Sequence, residues 1–208
     1  MNKETIRVIL PNKKINIFSI SIIILGFLTG CIFLIMLKET DKVAIIEQIK
    51  EYFITLKDNK YNIGTSFKNG LIMNNIYIIV MWILGLSIVG LILHIFILYI
   101  KGFIVGFSMS AIMLTFKIKG LFVGLLYLIF GQLLNILEIT ILGIYGISFT
   151  IFLIKTIFKK SRGTTNNRKE IKKYLTMLLC LLLIAIISTC LETIILPIIL
   201  KLIVKWLI

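Results

Sequence analysis

Long apolar runs alternate with short polar stretches along this 208-residue chain. A transmembrane helix needs about 20 predominantly apolar residues, within a range of roughly 17–25. The run 15–37 has that length, after Lys13 and Lys14, and so does 76–100, broken only by His94. A shorter stretch, 102–116, lies between Lys101 and Lys117. From 118 to 154 the chain is apolar apart from Lys119 until Gly131, Gln132, Asn135 and Glu138 fall in the middle. That run is too long for one span, so the pattern predicts two helices, 120–135 and 137–154, meeting near 131–137. The last run, 174–208, contains Pro197 and divides into a span at about 174–195 and a short terminal helix. No run alternates apolar and polar positions as barrel strands do. The expected class is all-α: a polytopic helical membrane protein forming one membrane domain over 1–208. It has about five full transmembrane helices plus one short or re-entrant segment, 102–116.

The polar segment 38–75 carries six Lys and five acidic residues. Within it Val43, Ile46, Ile49, Phe53 and Leu56 recur at helical spacing, while Glu47, Lys50, Glu51 and Lys57 fall on other faces. Thr40 or Asp41 suits its N-cap. The pattern predicts an amphipathic helix lying on the membrane, against a partner, or against the protein's own bundle.

Composition explains how the two kinds of segment coexist. The chain is 59% hydrophobic and 15% charged, with mean hydropathy +1.07, yet its net charge is +14. Soluble domains are about 45–50% apolar and about 25% charged. Here the charges flank the spans. The segment 155–173 holds eight basic residues against Glu170, and the tail 1–14 holds Lys3, Arg7, Lys13 and Lys14 against Glu4. The positive-inside rule puts both in the cytoplasm and the nearly balanced 38–75 outside. A re-entrant 102–116 then keeps Lys101, Lys117 and Lys119 inside; the alternative lets 102–116 cross and makes 118–154 a non-crossing hairpin. Nucleic acid is not an expected partner, since no soluble domain remains to hold a groove. Membrane lipids are, through anionic headgroups.

Catalytic and cofactor chemistry finds no motif. One His excludes HExxH and multi-histidine metal sites, and GxxxxGK[ST] is absent, so no cofactor or metal is expected. Cys31, Cys180 and Cys190 lie in apolar helices and read as packing residues. Leu28-Thr29-Gly30-Cys31 fits a lipoprotein cleavage pattern, but the apolar run continues to Leu37. What stands out is polar residues inside the spans: His94, Gln132, Asn135, Glu138 and Glu192. A charge at the bilayer centre costs about 2.5–3.5 kcal/mol on insertion scales, so such groups face protein or a water cavity. Gln132, Asn135 and Glu138 spread over roughly 120° of a helix face. They would line a transport or proton path, or else satisfy a broken backbone and lock the bundle. With no intramembrane Lys or Arg partner evident, the second reading is favoured. Gly26-xxx-Gly30, Gly102-xxx-Gly106-xxx-Ser110 and Gly120-xxx-Gly124 allow close helix packing. A homo-oligomer is left open.

The order of several features resembles a family. Asn74-Asn75 opens a span with Gly85 and Gly90, followed by Lys101-Gly102-Phe103-Ile104-Val105-Gly106. Then come Phe130-Gly131-Gln132, Glu138 and finally Glu192 with Pro197. From about residue 15 to 208 the chain is similar to the stage II sporulation protein M family of endospore-forming Firmicutes. The resemblance implies a non-enzymatic scaffold in the cell membrane, at the sporulation septum or engulfing mother-cell membrane. Its implied partners are the peptidoglycan-degrading D and P sporulation proteins, with Val43, Ile46, Ile49, Phe53 and Leu56 as the docking face. The competing class is a membrane subunit of a transporter, its ATPase a separate chain.

Overall fold

A computed structural model of the protein describes the backbone of residues 13–158 and 164–207. The basic positions Lys3, Arg7, Lys159, Lys160 and Arg162 lie outside the described residues. Among those described there is no strand. The helices are α1 (Lys13–Met36), α2 (Glu39–Lys57), α3 (Ile63–Leu84), α4 (Gly90–Leu126), α5 (Leu133–Phe158), α6 (Thr164–Cys190) and α7 (Leu196–Leu207). Short π-helical turns, Tyr127–Gln132 and Leu191–Ile195, join α4 to α5 and α6 to α7 without breaking the helix. The protein is thus an all-α polytopic membrane protein.

Four continuous helical stretches are long and apolar enough to cross a membrane: Lys13–Met36, Ile63–Leu84, Gly90–Thr156 and Ile171–Val204. The third holds 67 residues. At 1.5 Å per residue that is about 100 Å of helix, against a hydrocarbon core of about 30 Å. It folds back at Lys117, where φ is 52° and ψ −126°. Beyond this turn, Gly120 lies against Ile112, Gly124 against Met109, Gly143 against Leu98 and Gly146 against His94, so the two arms are antiparallel. Five long passes result.

Their residues differ from the sequence expectation. The run 76–100 is the end of α3 and the start of α4, separated by a turn at 85–89. That turn is itself apolar, so hydropathy does not register it. Thr150 Oγ1 donates to the Gly85 carbonyl at 2.9 Å, and Tyr174 Oη to the Trp82 carbonyl at 2.9 Å, tying the turn and the end of α3 to α5 and α6. The polar segment 38–75 is not all outside the spans: α3 starts at Ile63, capped by Asn62, whose Oδ1 accepts from the Thr65 N–H. The segment 102–116 is not re-entrant; it completes a helix that begins at Gly90. Nor do two spans meet at 131–137, since one π-turn carries the helix through.

Helix α1 runs parallel to the first arm of α4. Gly26 faces the Tyr99 carbonyl and Gly30 that of Phe103, while Gly102 and Gly106 face the carbonyls of Ile23 and Phe27. At each position a Cβ would collide with backbone, so these four residues must be glycine for the helices to touch. Cys31 lies within α1 with its Sγ 3.5 Å from the Gly106 carbonyl. A second apolar cluster unites α3, α4, α5 and α6 through Ile78, Met81, Leu98, Leu142, Leu181 and Ala185.

The bundle has two unlike ends. One collects the start of α1, the 85–89 turn, the end of α5 and the start of α6. There Trp82 and Phe149 stack on Tyr174 with centroid separations of 5.4 and 4.4 Å. The other end carries the Lys117 turn, α7 and α2. Glu39 and Asp41 in the first turn of α2, and Lys57 in its last, complement the helix dipole. The N-cap is Lys38, earlier than the expected Thr40 or Asp41. Phe53 and Leu56 pack with Val123, Leu196, Leu200 and Val204, so α2 lies over its own bundle.

Candidate functional site

Both π-turns lie deep in the helices, and they touch each other. A π-turn inserts one residue into the i→i−4 ladder and frees backbone groups that must find other partners. At the second turn the cause is legible. Pro197 has no N–H, and its ring excludes the carbonyl four residues back, that of Thr193. The Thr193 carbonyl instead accepts from Tyr61 Oη at 3.2 Å. At the first turn the Gly131 carbonyl accepts from Asn135 Nδ2 at 3.2 Å.

Between the turns runs a polar network. Gln132 Nε2 donates to Glu192 Oε1 at 3.1 Å, and Asn135 Nδ2 to Glu192 Oε2 at 2.8 Å. Ser188 Oγ donates to Asn135 Oδ1 at 2.8 Å. Each oxygen of the Glu192 carboxylate thereby receives one amide hydrogen from the opposite helix. A carboxylate offers about four lone-pair positions, so acceptor capacity remains. Glu138 lies one turn beyond Asn135; its side chain is buried, with Oε1 lacking a hydrogen bond.

Three of the expected intramembrane polar residues, Gln132, Asn135 and Glu192, join in this network, and Glu138 borders it. His94 does not belong to it. It lies near the opposite end, buried, with Nδ1 2.6 Å from the Gly90 carbonyl and its ring in the space Gly146 leaves. The sequence reading also missed a cation. Lys101, expected at a membrane edge, sits half-buried in the first arm of α4, within electrostatic reach of both Glu192 and Glu138. A lysine flanked by apolar runs looks like a span boundary; only the α4 start at Gly90 shows it to be interior.

Above the network α2 roofs a chamber of about 640 Å³. Ile45, Ile49, Tyr52 and Phe53 line it from the roof, Asn74 from α3 and Phe107 from α4. Tyr127 and Glu192 line it from the π-turns themselves. Asn74 Nδ2 donates to Thr189 Oγ1 at 2.9 Å, holding α3 to α6 beside the chamber. Of the five α2 positions expected to meet a partner, Phe53 and Leu56 are buried in the protein's own core. Ile46 and Ile49 are half-buried, and only Val43 is exposed. The face open to a partner is therefore not the apolar stripe, because that stripe closes the bundle. It is the side bearing Val43, Ala44, Glu47, Lys50 and Glu51. Among the described residues no group of three or more His, Cys, Asp or Glu could hold a metal ion.

A half-buried carboxylate held by two amides, a second carboxylate nearby and a lysine in reach can hold a cation or relay a proton. No curated protein and no solved structure matches the chain. The model of one family, stage II sporulation protein M, matches residues 19–197. That match reaches into all five passes and takes in both π-turns and the α2 roof. The chain belongs to the stage II sporulation protein M family.

Proposed function

We propose that the protein is a non-enzymatic membrane scaffold of the engulfment stage of sporulation, anchoring or recruiting peptidoglycan hydrolases at the septal membrane. The observation that carries this reading is the family match over residues 19–197 of a polytopic helical bundle. In this reading the N-terminus is cytoplasmic, which sets α2 on the outer side. The D and P sporulation proteins dock there on the exposed Val43–Glu47–Lys50 side of α2. Deleting the gene in its host and imaging sporulating cells tests it. Engulfment should stall and the hydrolases lose their septal position; normal engulfment with normally placed hydrolases refutes it. Labelling of single cysteines from outside intact cells should reach 38–62 and spare 164–173, and the opposite pattern reverses the orientation.

A second reading, a transporter membrane subunit, is favoured by one observation: Lys101, Glu138 and Glu192 share the interior of the bundle. Glu138→Gln and Glu192→Gln separate the two. A scaffold keeps its sporulation phenotype when charge is lost and hydrogen bonding retained, whereas a proton-coupled path does not.

A further inference from the structure

The chamber beneath α2 has a composition of its own. Five aromatic rings, Tyr52, Phe53, Tyr61, Phe107 and Tyr127, contribute to its walls, and one carboxylate, Glu192, to its floor. Tyr52 stands edge-on to both Phe53 and Tyr61, with centroids 5.8 and 6.2 Å apart, so the rings present faces and edges at right angles. Among the described residues, Lys and Arg are absent from the lining. Lys101 lies within electrostatic reach of Glu192 but outside the lining. Tyr52 stands at the open side of the chamber, and its phenol, uncharged at neutral pH as any tyrosine is, is pushed further up by partial burial, then by Tyr61 and Glu192.

We infer that this chamber binds an organic ammonium ion with an apolar body. Aromatic faces attract cations through their quadrupoles, most strongly where water is excluded, and aromatic cages are the common answer to alkylated ammonium groups. Glu192 supplies the opposite charge and still has acceptor capacity beyond its bonds to Gln132 and Asn135. The remaining apolar walls suit an alkyl chain, and the volume lies within the usual range of small-molecule sites, about 300–1,000 Å³. An anion would meet the Glu192 carboxylate and no cation in the lining itself, Lys101 lying outside it. The site is independent of the scaffold reading: it concerns a ligand, and neither result decides the other.

The test is calorimetric titration of the full-length protein, in uncharged maltoside micelles, with hexyltrimethylammonium. The anion hexanesulfonate serves as control. Saturable one-to-one binding of the cation alone is expected, weakened about tenfold or more by Glu192→Gln and also by Tyr52→Leu. Elution volume and melting midpoint of each variant establish that it is folded. Equal binding of the sulfonate overturns the inference. So does an affinity unchanged in folded Glu192→Gln, or no saturable binding to the folded parent. Adding phosphatidylethanolamine to the micelles distinguishes the source of the ligand. Competition marks a lipid headgroup as the occupant, and its absence a free organic cation; both are occupancy of the inferred site.

Discussion

The α1–α4 seam and the paired π-turns solve the same problem by opposite means. Along the seam four glycines bring backbone against backbone, and close fit holds two helices in register, helped by hydrogen bonds from Thr29 to Tyr99 and from Cys31 to the Gly106 carbonyl. At the π-turns the contact runs through side chains, by hydrogen bonds from Gln132, Asn135 and Ser188. The seam has no room for anything but itself; the π-turns open onto a chamber. Helices in lipid gain little hydrophobic driving force from associating, so close packing and polar bonding are the two means left. In this chain close packing dominates the first region and polar bonding the second, and the chamber opens beside the second.

Four substitutions would break or sharpen that contrast. The largest effect is expected from Gly30→Leu, which drives a branched side chain into the Phe103 carbonyl where no side-chain rotation can relieve it. Loss of about 3 kcal/mol or more is expected, read as failure to recover monodisperse protein on size exclusion. Asn135→Leu comes next. It strands one oxygen of Glu192, the Gly131 carbonyl and the Ser188 hydroxyl, for about 2 kcal/mol, measured as a lowered midpoint in a detergent-denaturation titration. If Asn135→Leu proved as damaging as Gly30→Leu, the polar turns would be the main lock of the bundle.

Lys117→Gly should act in the other direction. A non-glycine residue at φ 52° and ψ −126° is strained, and glycine at such a position relieves it, so a gain of about 1 kcal/mol is expected in the same titration. The smallest change belongs to Gln132→Leu, which removes a single bond to Glu192, for about 0.6 kcal/mol. A double-mutant cycle with Glu192→Gln checks it: a coupling near zero would show that Asn135 alone anchors the carboxylate.

Much of this was legible in the chain. Apolar run lengths give an all-α polytopic bundle with five passes, and the cost of polar groups in lipid singles out Gln132, Asn135, Glu138 and Glu192. The boundaries were not legible, for particular reasons. Leu86, Ile88 and Val89 form a turn without a charge or proline to mark it. Lys101 carries the same local signature as Lys117, although one is interior and the other lies at a hairpin tip. The periodicity of Val43–Leu56 predicts an apolar face but not its destination, which the apolar surface of α7 supplies. No residue pattern foretells the first π-turn, while the second follows from Pro197 once the helix is known to continue past it.

The parallel pairing of α1 with α4 bears on how the protein is made. Parallel neighbours cannot be joined by a tight turn, and here α2 and α3 are synthesised between them. As the ribosome releases the chain, α1 must wait in the bilayer, its glycine face open, until residues 99–107 arrive. Helix α3 waits longer, because its most extensive packing is with α6. The two halves of the polar network, on either side of the α5–α6 connection, meet only after Glu192 has been translated. Assembly is therefore completed from the C-terminal end, and an unfinished chain would expose to membrane quality control the same glycine stripe and amide side chains that the finished one conceals.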